Sequence, residues 1–298
     1  MSAPARKVAS TIQTRRLSYA LGGEIVDFKL DADMSDETVA ELRQALLDHL
    51  VIVFRGQDLS PADQVMVSRR FGDCMVTPGL DRWVDPEYPE LFIVTNKRNP
   101  DGTPSETRHT ARKWHSDQSF MAVPSLGSLL YCVEKPKIGG DTMFANMYMA
   151  YDALSDTMKK TLEGLRAIHD YFYYSAFKDG TRAPFTADEL AKVPPVSHPV
   201  VRTHPETGRK LIYVNESLTS RFDGMTEEES RPLLEFLFRH LSQPAFTYRH
   251  NWQVGDLVFW DNRATQHMAP PDYDIEHMDA AENHRYMRRT TIAGTKPY

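Results

Sequence analysis

The chain has 298 residues, of which 41% are hydrophobic and 26% charged, with a formal net charge of -6. That is the composition of a globular protein able to bury a core without staples, and its acidic balance argues against a nucleic-acid partner, whose phosphates call for a basic surface. Two cysteines, Cys74 and Cys132, make no disulfide framework, and the longest apolar runs fall far short of a bilayer span.

The first residues lack the apolar stretch of a secretory signal, so a cytoplasmic protein away from membranes is expected. No internal repeat or linker breaks the chain, which favours a single domain over 1–298. The expected partners are a small-molecule substrate and further copies of the chain.

Ser35 caps a helix over 36–49, in which Val39, Leu42 and Leu46 recur at helical spacing, and Val51 to Phe54 follow as a buried strand. Ser60 and Pro61 start a second helix that Gly72 ends. A strand over 91–95 leads into a polar stretch, 97–113, read as a surface loop with the reach of a lid. Strands at 128–134 and 141–147 flank the turn Lys137-Ile138-Gly139-Gly140, and 149–164 has a helical pattern with Ser155 as a cap inside it. The irregular, aromatic segment 171–195 is a second candidate lid. Strands are expected at 198–203 and 210–214, joined by a turn at 205–208. Thr226-x-x-Glu229 resembles a capping box, but Pro232 would disturb a helix already running from 227, so Ser230 is the expected cap. Strands close the chain at 245–250, 256–260 and 285–292. Many short strands without a regular strand-helix alternation fit a β-sandwich or jelly roll with helices attached.

Three His-x-Asp/Glu pairs occur: His115-Ser116-Asp117, His204-Pro205-Glu206 and His277-Met278-Asp279. In an extended chain, residues two apart share a face, so such a pair can offer an imidazole and a carboxylate to one metal. Roughly one or two such pairs are expected by chance in a chain of this composition. His204-Pro205-Glu206 opens a turn and reads as surface, and His277-Met278-Asp279 has little chain left to fold around a metal. His115 and Asp117, between Trp114 and Phe120, run toward a core, and His267 lies far enough along to fold back as a third ligand. In a strand over 285–291, Arg285, Met287 and Arg289 share one face and Tyr286 and Arg288 the other. Two inward arginines call for an anionic guest, and a carboxylate suits a guanidinium best.

The motifs Trp114-His115-Ser116-Asp117, Gly139-Gly140-Asp141-Thr142, His198 to Pro205 with Gly208-Arg209-Lys210, Val254-Gly255-Asp256, Trp260-Asp261-Asn262 and Arg285 to Thr291 stand together in one chain. In these the chain resembles the taurine dioxygenase / chlorophenoxyacetate dioxygenase family of Fe(II)- and 2-oxoglutarate-dependent oxygenases, and the resemblance runs from about residue 15 to Pro297. The resemblance implies one oxygenase domain, mainly β with flanking helices, on a double-stranded β-helix (jelly-roll, cupin-like) core. It implies iron on His115, Asp117 and His267, with O2 and 2-oxoglutarate as co-substrates. It gives the distal carboxylate of 2-oxoglutarate to Arg285 and Thr142, and the anionic group of the prime substrate to Arg289. Decarboxylation to succinate would drive hydroxylation of a small carboxylate or sulfonate, and the retained Asp117 favours hydroxylation over halogenation.

Two departures qualify this picture. The loop Asp73 to Gly79 lacks the histidine of taurine enzymes, and the segment from His267 to Arg285 is long, with extra residues near 275–281 that suggest a lid or subunit contact. Similarity around Ala122-Val123-Pro124, Tyr151 to Leu154 and Tyr248-Arg249-His250 leans toward the chlorophenoxyacetate branch, hence an aryloxyalkanoate substrate, with Tyr171 to Tyr174 as candidate pocket aromatics. The competing readings are a zinc hydrolase or binding protein on a cupin-like core, and a nucleic-acid demethylase, which the net charge disfavours.

Overall fold

A computed structural model describes residues 12–76, 83–173, 186–275, 277 and 279–298. Its centre is a seven-stranded sheet of order β1-β2-β3-β13-β5-β15-β4. The strands are β1 (Thr14–Arg16), β2 (Gly23–Ile25), β3 (Val51–Phe54), β4 (Phe92–Thr95), β5 (Ser125–Glu134), β13 (Leu257–Asp261) and β15 (Tyr286–Ala293). A three-stranded sheet pairs β6 (Thr142–Asn146) with β12 (Thr247–His250) on one side and β14 (Thr265–Met268) on the other. A second three-stranded sheet and a two-stranded hairpin hold β7 to β11 (Arg166–His169, Val196–Pro199, Val201–Thr203, Lys210–Ile212 and Thr219–Phe222). Among the described residues these sheets are open, with edge strands, and do not close into one barrel.

The central strands β3, β5 and β13 are buried on both faces, so they are nearly unbroken runs of buried residues. Alternation sorts them. Ile52, Phe54, Leu129, Tyr131, Leu257 and Phe259 pack under the helices Asp36–His49 and Pro61–Arg69. Val51, Val53, Leu130, Cys132, Val258, Trp260 and Met287 face the other way, into a core shared with Phe144, Ala145 and Val214. The two early helices begin at Ser35 and Ser60 as the sequence indicates.

Several local expectations are corrected. The helix Glu227–Leu241 starts at Thr226 with a complete capping box, and Pro232 lies inside it. At that depth the proline removes one helical hydrogen bond. Against that loss stand the cap, three glutamates in the first turn, and a buried stripe of Ser230, Leu234, Leu237 and Leu241. Ser230 does not cap; its hydroxyl accepts from Phe222 N and donates to the Thr226 carbonyl. The run 149–164 divides into Met147–Asp152 and Asp156–Leu162, because the Ser155 cap begins a new helix.

His204 is fully buried, not on the surface; it bonds Asp261 at 3.1 Å and accepts the backbone N–H groups of Glu206 and Thr207. The loop 97–113 is stitched to β4 through Thr107, which accepts from Thr95 N at 3.0 Å. Expectations on Thr77 to Gly79, on Tyr174 and the centre of the segment 171–195, and on residues 276 and 278 lie outside the described residues.

Thr226→Ala should lower stability by about 1 kcal/mol, seen as an earlier urea midpoint at unchanged slope. Full stability in that variant would return the start of the helix to Ser230.

Candidate metal centre

The site forms where the large sheet meets the sheet of β6, β12 and β14. β13 ends at Asp261, turns through Asn262, Arg263 and Ala264, and returns as β14, with His267 opposite Phe144 of β6. On its free side β14 takes up the segment carrying His115. His115 N donates to His267 O at 3.1 Å, and His267 N donates to His115 O at 2.8 Å. This two-bond bridge places the imidazoles side by side, with ring centroids 4.1 Å apart.

Two residues on, Asp117 Oδ1 lies 3.9 Å from Nε2 of both histidines. Among the described residues these three form the one group of potential metal ligands, their donor atoms all within 4.8 Å and all buried. The other His-x-acid pairs serve elsewhere. His277 bonds exposed Asp274 at 2.5 Å, and Asp279 pairs with Arg98 at 2.8 Å.

The donor chemistry fits a divalent cation. Burial lowers both histidines below their ordinary range, His267 well below it, so each presents a neutral imidazole; the negative Asp117 opposes this without reversing it. His115 Nδ1 lies 2.9 Å from the Lys113 carbonyl, which assigns the proton to Nδ1 and leaves the Nε2 lone pair for a metal. Burial alone would raise the Asp117 carboxyl, but the Arg289 guanidinium, with the Ser128 hydroxyl, holds it well below the usual carboxylate range. Two neutral nitrogens and one ionised oxygen on one side of a cavity leave further coordination positions open.

The two Asp117 oxygens have different duties. Oδ2 accepts from Ser128 Oγ at 2.7 Å and from Asn262 Nδ2 at 3.5 Å, while Oδ1 faces the imidazoles. Asn262 is itself fixed: its Oδ1 accepts from Trp260 Nε1 at 2.8 Å and from Asp117 N at 3.2 Å, and its Nδ2 donates to Ser128 Oγ at 2.9 Å. Ser116 Oγ and Ser125 Oγ clamp the surrounding backbone. Gln118, next in the chain, has φ of +57°, a left-handed turn that this bonding sustains. Asn262 had a place only in a family motif, and Ser128 escaped sequence reasoning. A serine between Gly127 and Leu129 in a buried strand was the available signal, since a buried hydroxyl needs a partner.

Beside the triad opens a cavity lined by Leu130, Thr142, Trp260, His267, Arg285 and Arg289. Thr142 Oγ1 accepts from Trp252 Nε1 at 3.0 Å, so its own proton remains available to an acceptor in the cavity. Arg285 Nε donates to the Gly140 carbonyl at 3.2 Å, leaving its Nη groups for the cavity. The Gly-Gly turn is locked by Asp272, whose carboxylate accepts from Gly140 N and from Arg249. Gly139 adopts φ of +71°, and a Cβ there would lie 2.0 Å from the Asp272 carbonyl, so only glycine fits. Arg289 donates to Asp117 Oδ1 at 2.5 Å, and its guanidinium lies over Phe92. The structure therefore brings Arg289 to the triad itself, while Arg288, on the opposite face, bonds the Leu59 carbonyl and stacks on Tyr131.

Asn262→Ala should weaken divalent-metal binding about 10–100-fold, measured by the visible absorption of Co(II) titrated into the protein. Unchanged affinity would mean that Ser128 alone orients Asp117.

Comparison with known proteins points the same way. Residues 13–291 match the model of the family described as "Taurine catabolism dioxygenase TauD, TfdA family". The chain is 34% identical to the alpha-ketoglutarate-dependent 2,4-dichlorophenoxyacetate dioxygenase of Burkholderia sp. (strain RASC), with 96% of each chain covered. It is 33% identical to an alkylsulfatase of Acinetobacter baylyi (strain ATCC 33305 / BD413 / ADP1), covering 95% of this chain and 85% of that one. The crystal structure of AAD-2 in complex with Mn(II) and N-oxalylglycine superposes with a TM-score of 0.78 at 32% identity, covering 97% of this chain and 99% of the other.

Proposed function

This chain belongs to the TauD, TfdA family of taurine catabolism dioxygenases, and from that membership we propose roles for its site residues. The protein is an Fe(II)- and 2-oxoglutarate-dependent dioxygenase that hydroxylates a small organic anion and converts 2-oxoglutarate to succinate, with O2 as co-substrate. We assign the iron to His115 Nε2, His267 Nε2 and Asp117 Oδ1. Iron bound there supplies the oxygen activation and redox chemistry. The protein orients the reactants and keeps Asp117 ionised.

The observation that carries this reading is the cavity beside the triad, with Arg285 and Thr142 in its wall. Their free donors suit the distal carboxylate of a 2-oxo acid whose other end reaches the metal. A zinc hydrolase has no need of such an anchor. Arg289, against Asp117 at the edge of the metal position, is assigned to the anionic group of the prime substrate. Relatives named for aryloxyalkanoates and for sulfate esters share that anionic character, and an aryloxyalkanoate is our first candidate. The open sheets are read as the two layers of a double-stranded β-helix in one domain spanning the chain. The segment 97–113, whose Thr110 and Ala111 border the cavity, is read as a lid.

Adding Fe(II) and 2-oxoglutarate without oxygen should produce a weak visible charge-transfer band, and oxygen with a suitable carboxylate or sulfonate should then release succinate. Neither signal with any substrate would sink the oxygenase assignment. Arg285→Ala should raise the 2-oxoglutarate KM and leave the prime-substrate KM largely alone, and Arg289→Ala should do the reverse. Equal effects on both constants would merge the two roles.

A further inference from the structure

A second, smaller cavity adjoins the co-substrate cavity and shares Arg285 with it. Its walls include Thr107, Arg108, Thr110, Arg112 and Tyr273. Three guanidinium groups thus border one small space, and none of them makes an ion pair with a described carboxylate. Arg108 Nη1 donates to the Ser105 carbonyl, and its buried Nε has no partner. Arg112 Nη1 donates to the Pro270 carbonyl at 3.0 Å, and its guanidinium lies 5.9 Å from the Tyr273 ring centroid. Arg285 Nε is engaged by the Gly140 carbonyl. The charge of Asp272 reaches Arg112, but its oxygens already accept from Gly140 N, Asp141 N and Arg249.

Clustered, partly buried like charges are costly unless an anion joins them. Consistent with that cost, burial lowers the Arg112 guanidinium from its ordinary value; Tyr273 opposes the shift and neighbouring Arg285 adds to it. The cavity has room for the centre of about one water-sized group. That space excludes a second dicarboxylate and restricts a guest to a monatomic anion.

We propose that Arg108, Arg112 and Arg285 form a binding site for a single compact monovalent anion of the chloride class, adjoining the co-substrate cavity. Because Arg285 belongs to both cavities, an anion here reduces the positive charge available to a carboxylate on the other side. Chloride and 2-oxoglutarate then oppose one another, and linkage makes the antagonism reciprocal. The coupling, though not the anion site, rests on assigning the distal carboxylate of 2-oxoglutarate to Arg285.

Crystals of the intact protein soaked in sodium bromide should show an anomalous peak bordered by Arg108, Arg112 and Arg285. The peak should disappear in Arg112→Gln, or in Arg108→Gln if the first variant does not fold. No peak in the natural protein, or an undiminished peak in a folded variant, overturns the site. With Fe(II) under anaerobic conditions, replacing gluconate by chloride at constant ionic strength should raise the Kd for 2-oxoglutarate several-fold, and Arg112→Gln should flatten that response. A flat response in the natural protein overturns the coupling. The bromide measurement uses neither iron nor 2-oxoglutarate, so failure of the anion site and failure of the oxygenase assignment give separate results.

Discussion

Two backbone hydrogen bonds between His115 and His267 hold the site together. They join residues far apart in the chain and set the spacing of two imidazoles before any metal is considered. The bridge extends the small sheet by one residue pair, so the geometry comes from β-sheet pairing and needs no special loop. Side-chain packing completes the placement: Trp260 and Phe144 hold the His267 ring, with centroids at 4.7 and 6.0 Å.

Asp117 depends on the other sheet. Ser128 lies on β5 opposite Trp260 of β13, and Asn262 begins the turn after β13. Their bonds to Oδ2 leave Oδ1 facing the histidines. A buried carboxylate is costly unless its charge is compensated. Here Arg289 compensates it directly, and the hydroxyl and amide supply the remaining bonds. The site therefore requires both sheets in register, one for the two imidazoles and the other for the orientation of the carboxylate.

The arginine-bearing side of the cavity is built on the same plan. Asp272, shortly after His267, reaches back to lock the Gly139-Gly140 turn. That turn offers the carbonyl that orients Arg285 and leads directly into Thr142. The adjoining arginine-lined cavity is walled by the segment between β4 and His115. The His115–Asp117–His267 group, the Arg285–Thr142 wall and the arginine cluster consequently share short stretches of chain, and a shift in one would reach the others.

The sequence by itself determined the local elements whose signals are local. The caps at Ser35 and Ser60, the apolar runs of β3, β5 and β13, and the alternation that sends Arg285 and Arg289 one way and Arg288 the other depend on neighbours a few residues apart. It also singled out His115, Asp117 and His267, because metal chemistry restricts the residue types and a known family shares the motifs. Tertiary structure alone decided what each polar group touches. His204 is buried because Asp261, distant in sequence, accepts its proton. Thr226 caps its helix across Pro232 because a buried stripe outweighs one missing hydrogen bond. Ser128 and Asn262 orient a carboxylate because β5 and β13 are neighbours. Local propensity is encoded within a turn or two of chain, whereas the partner of a buried charge is set by which strands pair, and that pairing is a property of the whole fold.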